Sequence, residues 1–240
     1  MNTKALTPAL AVAGLALWSS AHGMAMQEPA FSRVIIDELE ARDADEGTLA
    51  VWEASAWYGG DIDKLYLSTE GERLMDQGGH TESFETRLAW SHAFAPFWDW
   101  QLGARRDWQP GDPNRDWASV GIQGIAPYRF ETDVNLFIGE DGLTQLRLET
   151  EYELLFTQKL ILVPALEMNL AGKADDALNT GAGLMDLEAG LRLRYEIRRE
   201  FAPYIGVNWE RRFGDTASRT RDAGGEVEET TLVAGVRIWF

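Results

Sequence analysis

The chain has 240 residues, with 39 acidic against 22 basic side chains and a net charge of −17, so it repels nucleic acid and draws cations. It contains no cysteine, which excludes a disulfide framework and any thiolate metal site. Beyond residue 30 no apolar stretch is long enough for a transmembrane helix, and the mean hydropathy is −0.26.

Residues 1–23 read as a secretory signal peptide. Lys4 supplies the positive charge, Ala5 to Trp18 is an almost unbroken apolar run, and Ser19 to Ala25 turns small and polar. Cleavage after Gly23 or after Ala25 fits, and the apolar run is short for a membrane anchor. Residues 24–30 are then a short periplasmic segment, and residues 31–240 form a single β domain.

From about residue 32 apolar and polar residues alternate in long segments, the mark of strands with two unlike faces. In Phe130–Ile138, the residues Phe130, Thr132, Val134, Leu136 and Ile138 share one face, with Glu131, Asp133, Asn135 and Phe137 on the other. Strands are expected near 31–42, 48–59, 61–72, 80–93, 97–108, 115–126, 129–139, 142–156, 158–171, 183–198, 203–213 and 227–240. A soluble sandwich also alternates, but its strands are shorter, and here the second face carries both signs of charge at successive positions. The fold expected is an all-β, transmembrane, antiparallel up-and-down barrel of about twelve strands, apolar toward lipid and charged toward the lumen.

Connections after even strands are short, as at Gly59-Gly60-Asp61 and Ala126-Pro127-Tyr128. Those after odd strands are mostly longer, as at Gly172–Gly181 and Gly214–Glu226. Short periplasmic turns and long external loops place both termini in the periplasm of a Gram-negative outer membrane. Aromatics near the short turns, including Trp57, Tyr58, Phe97, Trp100, Tyr128, Phe201 and Tyr204, are expected to form a girdle. Trp108 and Trp117 fit the opposite girdle. The last strand alternates through Leu232, Ala234, Val236 and Ile238 to Phe240. It resembles the C-terminal signature of outer-membrane proteins, which implies recognition of Phe240 by the barrel assembly machinery.

The run from Val51 through Trp57-Tyr58-Gly59-Gly60-Asp61 to Glu70-Gly71-Glu72 resembles the strand–turn–strand of the copper resistance protein B family. Leu88-Ala89-Trp90-Ser91-His92, Trp98 to Arg105, Glu149-Thr150-Glu151-Tyr152 and the closing hairpin from Tyr204 are similar too. The resemblance spans about residues 31–240. It implies an outer-membrane barrel that aids copper tolerance by binding the ion or passing it outward, with a periplasmic copper protein as a partner. Family members often carry a Met- and His-rich segment before the barrel. Here that segment is reduced to Met24 and Met26, so the work would fall to the barrel.

Alternation places Glu53, Glu70, Glu85, Glu149, Glu151 and Glu188 among the inward acids, with Arg87, Arg105, Arg147, Arg192 and Arg194 among the inward bases. The excess of acid gives the lumen a negative potential, while Arg–carboxylate pairs that simply fill the interior are the structural alternative. Copper ligands follow softness, thioether for the cuprous and imidazole for the cupric ion. Met75 and His80 share one predicted external loop and are the candidate pair. Met168, Met185 and His92 fall on the lipid-facing parity. Ser91 and His92 are adjacent on a strand and point to opposite faces, so they form no catalytic dyad and no enzyme is expected. The rival to the copper reading is a generic porin-like barrel, although about twelve strands is narrow for free diffusion.

Overall fold

The computed structural model describes residues 29–44, 47–75 and 80–240, and of His80 and Glu82 the backbone alone. The expected signal peptide lies outside the described residues, as does all but the end of the segment before the barrel.

Thirteen strands form one antiparallel sheet among the described residues. They are β1 (Phe31–Ala44), β2 (Gly47–Gly59), β3 (Asp63–Leu74), β4 (His80–Ala95), β5 (Trp98–Trp108), β6 (Arg115–Ala126) and β7 (Phe130–Gly139). Then follow β8 (Thr144–Glu151), β9 (Leu154–Leu155), β10 (Leu160–Ala171), β11 (Gly183–Tyr195), β12 (Phe201–Arg212) and β13 (Glu228–Trp239). Each pairs with its neighbour in sequence, except that β8 and β9 both pair with β10, and β1 pairs with β13, so the sheet closes on itself. Closure leaves no strand edge in hydrocarbon, where an unpaired amide has no water to turn to.

The strands β8 and β9 are two parts of one stave, which makes a barrel of twelve. Both pair with β10 in one continuous register, and the break at Tyr152 and Glu153 has a chemical cause. Opposite Tyr152 stands Pro164, which accepts a bond from the Tyr152 amide at 3.0 Å and has no N–H to return.

Outward faces are apolar along the staves: Leu88, Leu102, Val120, Leu136, Leu191 and Ile205 are all exposed. Tyr58, Phe94, Phe97, Tyr128 and Phe201 lie outermost near the short turns, and Trp90 packs edge-on against Trp100 at 4.7 Å. Two members of the expected girdle belong inside instead. Trp57 lines the lumen, and Tyr204 is buried there, because each shares its strand's inward parity with Glu53 or Asn208. Trp117 likewise is buried inward, clustered with Phe137 and Leu143.

The long connection after β12 contains a helix that alternation does not reveal, α1 (Gly214–Asp222). It buries Thr216, Ala217 and Thr220 and binds the 172–182 loop, where the Gly181 amide donates to Thr216 Oγ1 at 2.9 Å. Arg219 pairs with Asp176 of the same loop at 2.7 Å.

The seam is closed by tight seating as well as by the ladder. The Val34 and Phe240 amides exchange bonds at 3.1 and 2.8 Å. Tyr204 lies against Gly235 of the next strand, where an added Cβ would stand 2.6 Å from its Oη and 2.7 Å from Glu40 Cβ. Gly235→Val should therefore cost about 1–3 kcal/mol through overpacking, read as a lower temperature for the heat-induced gel-mobility shift of the barrel. An unchanged transition would show that Tyr204 is not held against that glycine.

Candidate ion path through the barrel

The lumen is a cavity of about 900 Å³, running from Arg33 and Arg237 near the short turns to Lys173, Asp175 and Thr180 at the other end. All six inward acids expected from alternation line it: Glu53, Glu70, Glu85, Glu149, Glu151 and Glu188. Among the described residues its wall holds fifteen carboxylates against nine Lys and Arg side chains. Fully ionised, that excess gives the lumen a negative potential.

Strand register sorts the acids into two rows. Glu38, Glu53, Glu70, Glu85 and Asp107 face one another across β1 to β5. Asp133, Glu149, Glu167, Glu188 and Glu210 do so across β7, β8, β10, β11 and β12. Like charges directly opposite destabilise a sheet, so each row depends on cations reaching it across the interior.

Three arginines supply most of that charge. From β8, Arg147 donates to Glu70 Oε1 at 2.6 Å and Glu85 Oε2 at 3.0 Å, with Glu167 at 3.5 Å and Glu149 at 3.7 Å. Arg42 reaches Glu40 at 2.6 Å and Glu188 at 3.1 Å, and Arg192 reaches Glu38 at 2.6 Å and Glu40 at 3.2 Å. The Glu40 carboxylate is fully enclosed and also accepts from Tyr204 Oη at 3.0 Å. Further pairs join Arg105 to Asp107, Lys64 to Asp99, Arg194 to Glu153 and Arg237 to Asp37. No cation pairs with Glu53, Glu131 or Glu151 among the described residues, and all three side chains open to the cavity.

Strict alternation misses Asp37, Glu38 and Glu40 because the pairing of β1 shifts between Ile36 and Glu38. A bulge there turns both Asp37 and Glu38 inward, and two successive acids between Ile36 and Leu39 are its mark in the sequence. A second shift, opposite Asn169 and Leu170, corrects the placement of Met185. Instead of facing lipid, Met185 is buried inside, where Gln145 Nε2 approaches its Sδ at 3.9 Å.

The expected Met–His loop pair is only partly described. Met75 follows β3, exposed, its amide donating to Thr48 O at 2.9 Å. The His80 backbone opens β4 opposite Leu74, while its side chain and residues 76–79 lie outside the described residues. On β4, Ser91 points inward to Asp99 at 2.9 Å and His92 outward to Asp63 at 2.8 Å, so the two stay apart. Among the described residues no three His, Asp or Glu side chains converge as a metal-holding group. What the described lumen offers a cation is rows of carboxylates along its wall.

The far mouth is partly roofed by the 172–182 loop. Arg115 grips Asp175 with both ends of its fork at 2.7 and 2.9 Å, and Lys173 reaches Asp141 O at 2.7 Å. The Arg115 guanidinium holds the Asp175 carboxyl below its usual range. The contribution of this pair is thus complete above the ordinary carboxylate range and is lost as pH falls through the lowered value. Amide exchange in the 172–182 loop, corrected for intrinsic rates, should rise on acidification into that range, and Asp175→Asn should show the same rise at neutral pH. Equal protection in both proteins would remove the latch. Deeper in, Glu40→Ala takes one carboxylate from each of two largely enclosed guanidinium groups, Arg42 keeping Glu188 and Arg192 keeping Glu38, and should cost about 1.5–3 kcal/mol of unfolding free energy, measured by denaturant titration in lipid vesicles. A cost below about 1 kcal/mol would mean that water replaces the carboxylate there.

Comparison with known proteins places this geometry. The barrel is similar to the KdgM porin structure, with a TM-score of 0.50 at 12% identity over 87% of this chain and 99% of that one. It is similar also to the NanC porin structure, with a TM-score of 0.55 at 9% identity over 85% and 98%. At such identities the likeness is one of fold. Closer in sequence is Copper resistance protein B of Escherichia coli, 42% identical over 94% of this chain and 75% of that protein. The Copper resistance protein B homolog of Pseudomonas syringae pv. tomato is 44% identical over 94% and 76%. The family model described as copper resistance protein B precursor matches residues 30–240. This membrane barrel, with its acid-rich lumen, belongs to the copper resistance protein B family.

Proposed function

We propose that the protein contributes to copper tolerance from the outer membrane, holding copper or passing it outward, and that it catalyses no reaction. The observation that carries this is the lumen itself: a continuous cavity with carboxylates in excess, in a chain whose relatives are named for copper resistance. A negative interior concentrates cations from the periplasmic side, and carboxylates spaced along the wall offer many weak contacts in place of one trap. Copper is cargo in this reading.

Export by a signal peptide spanning residues 1–23, assembly through Phe240 and delivery by a periplasmic copper protein complete the proposal. Met75 and His80 are offered as an external landing site, thioether and imidazole suiting the two oxidation states of the ion.

Copper tolerance and cell-associated copper should be compared for wild type, a deletion strain and a Met75→Ala/His80→Ala double variant. Deletion is expected to lower the tolerated copper concentration, with cell-associated copper rising where the barrel passes the ion outward and falling where it holds it, and with the double variant intermediate. Unchanged tolerance on deletion would put a generic barrel in place of the copper reading. A double variant equal to wild type would remove the loop site alone.

A further inference from the structure

The geometry points to Arg147 as the selectivity element of the lumen, a tethered cation that spans the path and occupies the place of a permeating ion. This rests on the reading of the lumen as an ion path and specifies which ions it favours. The stave that carries Arg147 stands five steps round the twelve-stave ring from β3, so its bond to Glu70 crosses close to a full diameter. Other lumen pairs stay within one stave, as Arg105–Asp107 on β5, or reach a nearby one, as Arg194–Glu153.

The bond also joins the two acid rows. Glu70 and Glu85 face each other in register in one row, Glu149 and Glu167 in the other, and the single guanidinium lies within 2.6 to 3.7 Å of all four. Arg105 also touches Glu85 at 3.3 Å, but its Nε and Nη2 are committed to Asp107 at 2.7 and 2.8 Å. Asn169 Oδ1 accepts from Arg147 Nε at 3.2 Å and holds the head in place.

Two consequences follow from charge alone. An anion entering this level meets four carboxylates around one positive group, and is turned back. A cation can take the position of the guanidinium, because the carboxylates that bind Arg147 are the ones that would balance the ion. A divalent cation satisfies two facing carboxylates at once and competes better than a monovalent one. Arg147 thus keeps the rows from repelling one another when no ion is present, and yields when one arrives.

The test uses the full-length exported protein in planar bilayers under a potassium chloride gradient, with folding verified by heat-dependent gel mobility. Wild type is expected to conduct weakly and with cation preference. Arg147→Ala should raise the conductance severalfold and move the reversal potential further toward that of potassium. Glu70→Gln/Glu85→Gln frees the arginine and removes two acids, and should raise conductance while moving the reversal potential toward zero. Should Arg147→Ala fail to fold, Arg147→Lys retains the charge without the fork and should conduct between wild type and the acid double variant. Wild-type conductance and selectivity in the folded variants, a shift toward anions in Arg147→Ala, or no current from any of them would overturn the assignment. Because potassium is the probe, these results stand apart from copper tolerance. A deletion without a copper phenotype alongside the Arg147 effect would retire the cargo and keep the filter.

Discussion

A peptide group in hydrocarbon must find its hydrogen-bond partner within the protein, and for a strand that partner can only be another strand. The pairing of β1 with β13 meets this demand at the last open edge, and the rest of the molecule is arranged around it. The seam is braced from the inside. Glu40 on β1 is bound by Tyr204 on β12 and Arg192 on β11, so one enclosed carboxylate ties the first strand to strands from the end of the chain. Ladder bonds close the backbone, and the Glu40 contacts span the seam from inside.

Much of this was legible in the sequence because period-two alternation reports the environment of each side chain directly. The run from Phe130 to Ile138 declares both its faces, and the six candidate acids all reached the lumen. What escaped was whatever depends on the neighbouring strand. The inward turn of Asp37 with Glu38 and the burial of Met185 come from register shifts, which reverse parity partway along a strand. The division of the eighth stave follows from a proline one strand away. The rows of facing carboxylates exist only once register is known, since no single strand shows them. Helix α1 was hidden because it is short, polar and built from contacts with a distant loop.

The lumen combines two uses of charge that ordinarily compete. Arginine–carboxylate pairs fill and stiffen an interior, while unpaired acid draws cations into it. Here the pairing is incomplete by design of the register. Glu53 and Glu151 face the cavity with no cation bound to them among the described residues, and Arg147 is shared among four acids. A wall so composed keeps its shape without neutralising its field. In the function proposed above, that is the physical link between membership of a copper resistance family and a barrel that offers no chelating cluster among its described residues.

The central claim is that every stave separates lipid from a charged interior, and the absence of cysteine in the chain makes it directly measurable. Single cysteines placed along β7, from Glu131 to Ile138, can be challenged in membranes with a charged thiol reagent confined to water and an apolar one confined to lipid. Positions 131 and 133, which line the cavity, should react with the first alone, and 134, 136 and 138 with the second alone. Uniform reaction of both sets with the aqueous reagent would contradict the barrel and everything built on its interior.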